Sequence, residues 1–115
     1  MRDDLGVNPA NLEVIREAML ADVEEPRGTG HAAWIPGLKI GGKTGTAQIE
    51  QNSKVVDHTT WFVSFAPVGE PRWVVVVMVE SGASGGKTCA PIARQIYLAL
   101  QKRFPAGQNS VALQN

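Results

Sequence analysis

Several things are scarce in this 115-residue sequence, and each scarcity closes off a class of protein. Cys89 is the single cysteine, so an internal disulfide and a cysteine-cluster metal site are both excluded, while the redox compartment is left open. His31 and His58 are the only histidines, too few for a multi-histidine zinc site. No metal and no cofactor is therefore expected. Charge of one sign is also lacking: 11 Lys and Arg stand against 11 Asp and Glu, which argues against nucleic acid as a partner. The longest apolar run, Val74 to Val79, is strand-sized, far below the roughly 20 residues that cross a bilayer. Acids follow Met1-Arg2 at once, so the start does not read as a secretory signal.

What is present suits one small soluble domain. With 43% hydrophobic residues the chain can form a core, and its length matches a domain of roughly 100 to 150 residues. Charge is uneven along it. Residues 1 to 27 carry seven acids and three bases, and residues 28 to 115 carry eight bases and four acids. Lys39, Lys43 and Lys54 fall near a Gly-rich centre, where a solvated surface is the plainer reading and an anionic ligand the sharper one.

Periodicity predicts an α+β fold. Asn8 as N-cap, Pro9 in the first turn and Leu12, Ile15, Met19 and Val23 on one face predict a helix from Pro9 to Glu24, stopped by Pro26. Thr29 is expected to cap a short helix through His31 to Trp34. Three strands should follow as an antiparallel meander: Leu38 to Ile49, Thr59 to Ala66 and Trp73 to Val79, with a polar loop from Glu50 to Asp57. The apolar third strand reads as central and covered on both faces. Trp61, Phe65 and Trp73 read as sheet core. A Gly/Ser connection, Ser81 to Gly86, leads to a last helix, Ala90 to Phe104, so the three-stranded sheet has flanking N- and C-terminal helices.

The Gly-rich centre admits two readings. Gly37 to Thr44 fits the phosphate-loop pattern G-x-x-x-x-G-K-[ST]. That motif needs a helix opening at its Lys-Thr, because the helix N-terminus supplies the anion site; Gly45 and the absence of an apolar stripe over residues 46 to 56 argue against one. Lys43-Thr44-Gly45-Thr46 is instead the Lys-Thr-Gly element of penicillin-binding proteins and serine β-lactamases. Its flanks, Ile35 to Gln48, closely resemble that strand in the high-molecular-weight transpeptidases. The resemblance extends through Gly28-Thr29-Gly30-His31-Ala32-Ala33, through His58 to Pro67 and through Gly85 to Ala93. Together these make the chain resemble the C-terminal part of the transpeptidase domain of a class B penicillin-binding protein, over about residues 9 to 104. By that resemblance residues 1–107 are a segment of such a domain, and residues 108–115 are expected to be a disordered tail.

The resemblance implies roles. Lys43 would contribute positive potential beside the catalytic serine, toward the carboxylate of a peptidoglycan stem peptide ending in D-Ala-D-Ala or of a β-lactam. Thr44 and Thr46 would offer hydroxyls to that carboxylate. Gly45 would let the substrate backbone lie against the strand, and the Thr46 N–H would be one of two oxyanion donors, each typically worth about 3 to 4 kcal/mol of barrier. Two other family elements are missing. Ser84-Gly85-Gly86-Lys87 spells the nucleophile's Ser-x-x-Lys, but it lies downstream of the Lys-Thr-Gly strand, in the family's ordinary strand-to-helix connection. No Ser is followed two positions on by Asn. The chain alone is thus expected to neither acylate nor hydrolyse.

The parent protein is expected outside the cytoplasm and anchored to the cell membrane. The expected partners are the N-terminal remainder of the domain and, through apolar faces left uncovered, a second copy as homodimer or domain swap. The competing reading is a non-catalytic module that binds a chain or peptide by its strand edge. His58 reads as a cleft-edge side chain rather than a general base, and Cys89 as a small apolar residue at a helix start.

Overall fold

A computed structural model describes residues 5–105. The elements are α1 (Pro9–Glu24), a 3-10 turn (His31–Ala33), β1 (Gly41–Gln51), β2 (Lys54–Ala66), β3 (Trp73–Glu80), a π-helical turn (Gly85–Cys89) and α2 (Ala90–Arg103). The boundary drawn at residue 107 and the tail 108–115 lie outside the described residues.

Helix α1 starts where its cap predicts. The Asn8 side chain accepts the Ala10 N–H at 2.9 Å, and Pro9 occupies the first turn, where its missing N–H costs nothing. The chain leaves α1 in extended conformation at Glu25, just before Pro26. Lys102 and Arg103 lie in the last turn of α2, where positive charge meets the negative end of the helix dipole.

The sheet is antiparallel with order β1-β2-β3. Gly41 pairs with Phe65, Lys43 with Val63 and Thr46 with Thr60; on the other side of β2, Ser64 pairs with Val75 and Phe62 with Val77. Pairing of β1 with β2 runs past a register shift at Ile49/Glu50 to a two-residue turn, Asn52-Ser53, with φ of 53° and 63°. Two left-handed residues in succession match the twist of a tight hairpin. The expected loop over Glu50 to Asp57 is therefore mostly strand. Its sequence hid this because no residue there is buried, so no alternation of polar and apolar positions marks it.

Both helices lie against one face of the sheet. Thr60, Phe62, Ser64 and Ala66 of β2 and Val75 and Val77 of β3 are buried there, with Val23 from α1, Ala90, Ala93 and Tyr97 from α2, and Ile35, Leu38 and Ile40 from the segment before β1. Burying a side chain such as that of Phe62 stabilises by about 2 to 3 kcal/mol. The buried Ser64 hydroxyl is paired: its Oγ donates to the Val75 carbonyl at 2.8 Å and accepts from Tyr97 Oη at 2.8 Å.

Three expectations are corrected here. Strand β3 is an edge strand, not a central one, and only one of its faces is covered: Val74 is 73% exposed and Met78 65%, beside exposed Val76 and Val63. Trp61 and Phe65 lie half-buried on that open face, while Trp73, on the other face, packs against the core. Thr29 caps no helix. The short turn is led by Gly30, and the Thr29 hydroxyl goes to Asp22.

Candidate functional site

Strand β1 lies at the other edge of the sheet, so its outer rim is unpaired among the described residues. Lys43 and Thr44 stand inside this strand, not at the start of a helix, which removes the phosphate-loop reading. Alternation along the strand divides the four motif residues between two faces. Lys43 pairs with Val63 and Gly45 with Trp61, on the open face; Thr44 pairs with Phe62 and Thr46 with Thr60, on the face that the helices cover. The resemblance directs Lys43 and the hydroxyls of Thr44 and Thr46 at one carboxylate and keeps Gly45 for the substrate backbone; in the strand, Lys43 lies on the opposite face from the two threonines.

Lys43 is exposed, and its Nζ donates to the Thr44 carbonyl at 2.7 Å. At Gly45 a Cβ would lie 2.2 Å from the Trp61 indole. The ring thus occupies the space a side chain would need, a packing reason for glycine beyond the close approach of a ligand. Thr44 and Thr46 line a cavity of about 380 Å³ together with Thr29, Ala32, Ser84, Gly86 and Lys87. Three segments far apart in sequence converge here: the turn after α1, the strand, and the turn before α2.

The turn after α1 is wrapped onto Asp22. Asp22 Oδ1 accepts from the Thr29 N–H at 2.9 Å and from the Thr29 hydroxyl at 2.5 Å, and the Asp22 carbonyl accepts the Gly30 N–H at 3.2 Å. A Cβ on Gly28 would come within 1.8 Å of that same carbonyl oxygen. Thr44 Oγ1 lies 3.0 Å from Thr29 Oγ1, which joins the strand to this turn. Asp22 itself lines a second cavity, of about 430 Å³, with Ile15, Met19, Gly42 and Lys43.

Ser84 takes up a local role. Its Oγ accepts the Lys87 backbone N–H at 3.1 Å and caps the π-helical turn, so its contact with Lys87 runs through main chain and not through the ammonium. The second connection of that turn is to β2. Cys89 is fully buried, with its Sγ 3.4 Å from the Thr60 carbonyl, as a small core residue. His58 is half-buried in β2, where its N–H donates to Asp57 Oδ1 at 2.8 Å and its carbonyl accepts from the Ser81 N–H at 2.7 Å. Asp57 is held below the usual carboxylate range chiefly by the Ser81 hydroxyl, with the His58 N–H next.

The Ser84–Lys87 turn, which lines the cavity, and Asp22, which holds the lining residue Thr29, have no part in the site as the sequence alone describes it. The Gly-Thr-Gly match pointed to residues 28 to 33 without a partner for them, and only the fold brings Asp22 there. Among the described residues no group of three or more His, Cys, Asp or Glu side chains could hold a metal ion, and no helix is long and apolar enough to cross a membrane.

Comparison with known proteins follows the same outline. The sequence profile of the penicillin binding protein transpeptidase domain matches residues 3–98. The chain is 40% identical over 88 residues to stage V sporulation protein D of Bacillus subtilis, covering 71% of this chain and 13% of that one. It is 39% identical over 76 residues to the peptidoglycan D,D-transpeptidase PbpA of Mycobacterium tuberculosis, covering 62% and 16%. Among solved structures, penicillin binding protein 3 of M. tuberculosis complexed with ampicillin superposes with a TM-score of 0.73 at 26% identity, over 87% of this chain and 25% of that one. The chain thus spans less than a quarter of the length of these two curated relatives.

Proposed function

Because the chain belongs to the penicillin-binding-protein transpeptidase domain family, we propose that it is the part of a peptidoglycan D,D-transpeptidase that holds the substrate's carboxylate end. It supplies the Lys-Thr-Gly strand and not the nucleophilic serine. The observation that carries this reading is the position of Lys43 to Thr46 on an edge strand with a cavity beside Thr44 and Thr46. An edge strand can take an extended peptide as an added strand, and Lys43 is the cation within the motif. In this role Lys43 and Thr46 act at the carboxylate and at the oxyanion, with Thr44 and Gly45 in the substrate-binding surface.

The ligand is a stem peptide ending in D-Ala-D-Ala or a β-lactam, as for the M. tuberculosis relative complexed with ampicillin. The open face of the sheet and the free edge of β3 then await the N-terminal remainder of the domain, which brings the serine. The parent acts outside the cytoplasmic membrane, where peptidoglycan lies. Calorimetry of the 115-residue chain with a D-Ala-D-Ala peptide tests the site. Lys43→Ala should weaken binding about 10- to 100-fold, the range for a charge-assisted hydrogen bond. Binding that survives the substitution would instead favour recognition by the strand edge alone. Ampicillin should leave the chain's intact mass unchanged; a stoichiometric adduct would point to Ser84 as a nucleophile and overturn the reading.

A further inference from the structure

The two rims of the sheet differ in how they meet a foreign strand. Strand β1 carries Lys43 and Glu50, charges of the kind that discourage pairing with another sheet. Strand β3 has no charge, proline or glycine over residues 74–79, and its register against β2 is unbroken. Its main-chain direction follows from that pairing. The Ser81 N–H donates to the His58 carbonyl at 2.7 Å, continuing the register of the ladder. Antiparallel strands alternate between residues bonded to the partner and residues turned away from it, so Val75, Val77 and Val79 face β2. Val74, Val76, Met78 and Glu80 turn their N–H and C=O groups to the free rim, where no strand among the described residues takes them.

That rim is self-complementary. A copy turned by a two-fold axis through Val76 sets Val76 against Val76, Val74 against Met78 and, at each end, Arg72 against Glu80. Arg72 and Glu80 are exposed, and neither makes an ion pair among the described residues. Sliding the copies by two residues brings Glu80 opposite Val74 in one direction and opposite Glu70 in the other. A slide by one residue turns the exposed side chains of one copy to the buried face of the other. Opposite charges meet in the register centred on Val76 and in neither of its neighbours.

We propose that the 115-residue chain pairs with a second copy of itself along β3, antiparallel about Val76, so that the two three-stranded sheets run on as one. Three hydrogen-bonded residue pairs form at the joint, with about two main-chain bonds in each. Val74, Val76 and Met78 of both copies, all exposed in one copy alone, then make one apolar band across it, closed at each end by an Arg72 and Glu80 pair. This goes beyond the transpeptidase reading and does not rest on it. Where the N-terminal remainder of a transpeptidase domain takes the same rim, it displaces the second copy.

Sedimentation equilibrium of the full chain should show monomer and dimer in exchange. Arg72→Glu sets glutamates opposite each other at both ends, and Glu80→Arg sets arginines, so each variant alone should dimerise about 10-fold more weakly than wild type. Mixed, the two variants bring opposite charges together at both ends and should associate as tightly as wild type, which a loss of fold could not produce; circular dichroism confirms that each is folded. Amide hydrogen exchange reads the strand itself. The Val74, Val76 and Met78 amides should gain protection as protein concentration rises, while those of β1 should not. A chain that stays monomeric at all concentrations, a dimer that leaves those three amides unprotected, or a mixture no tighter than either variant alone overturns the proposal. None of these outcomes touches carboxylate binding, which the Lys43→Ala titration decides separately.

Discussion

The two faces of the sheet have nearly the same apolar content and opposite fates. On one, Phe62, Val75 and Val77 are buried beneath α1 and α2; on the other, Val63, Val74, Val76 and Met78 are exposed. Both sets come from the same two strands at alternate positions, so local preference for strand cannot separate them. The difference lies in what packs against each. Two helices close one layer, and no described element closes the other, an arrangement suited to a fragment whose second layer comes from elsewhere.

The comparison can be broken first at the covered face. Phe62→Ala should destabilise the chain by about 3 to 5 kcal/mol, the usual cost of emptying a buried aromatic site, measured by urea unfolding. An equal cost for Val76→Ala on the open face would mean that this face is covered in solution. Next comes the polar pair within the core. Tyr97→Phe leaves Ser64 Oγ without the Tyr97 donor and should cost about 1 kcal/mol.

Burial raises the Tyr97 phenol above its usual range, against an opposing pull from its bond to Ser64. The folded state then favours the neutral form, while the unfolded chain ionises above about pH 10. Stability should fall as pH rises past that value, and Tyr97→Phe should flatten the alkaline slope. A slope unchanged by the substitution would place its origin elsewhere.

On the open face, Val76→Lys should change unfolding free energy by less than about 0.5 kcal/mol, yet it should lower self-association read by sedimentation equilibrium. Stable monomer in both proteins would show that a second copy does not use this face. The smallest effect is expected at Asp57, half-buried near the hairpin turn. Its carboxyl is held low by Ser81 first and His58 second, so its contribution is present above about pH 4 and lost as pH falls through the lowered folded value. Asp57→Asn should remove that small acid slope, and an identical acid titration of stability in the two proteins would rule the pairing out as a contributor.

How much was legible before folding varied with the kind of signal. Helix α1 was readable end to end because Asn8, Pro9 and Pro26 mark it chemically. The hairpin end of β1 and β2 was not, since strand residues exposed on both faces carry no alternation. Val74 to Val79 misled in the other direction: a continuous apolar run looks like a strand buried on both faces, whether its second cover belongs to the same chain or to another.

The site divides in the same way. The sequence alone determined the Lys43-Thr44-Gly45-Thr46 motif, its strand and its family, because these depend on residue order and local backbone preference. Tertiary structure decided which hydroxyl shares a cavity with which turn, that Gly45 makes room for Trp61, and that Asp22 reaches Thr29 and through it Thr44. Those relations join residues from 7 to 40 or so positions apart, and a hydrogen bond has a direction only once both of its ends have been placed.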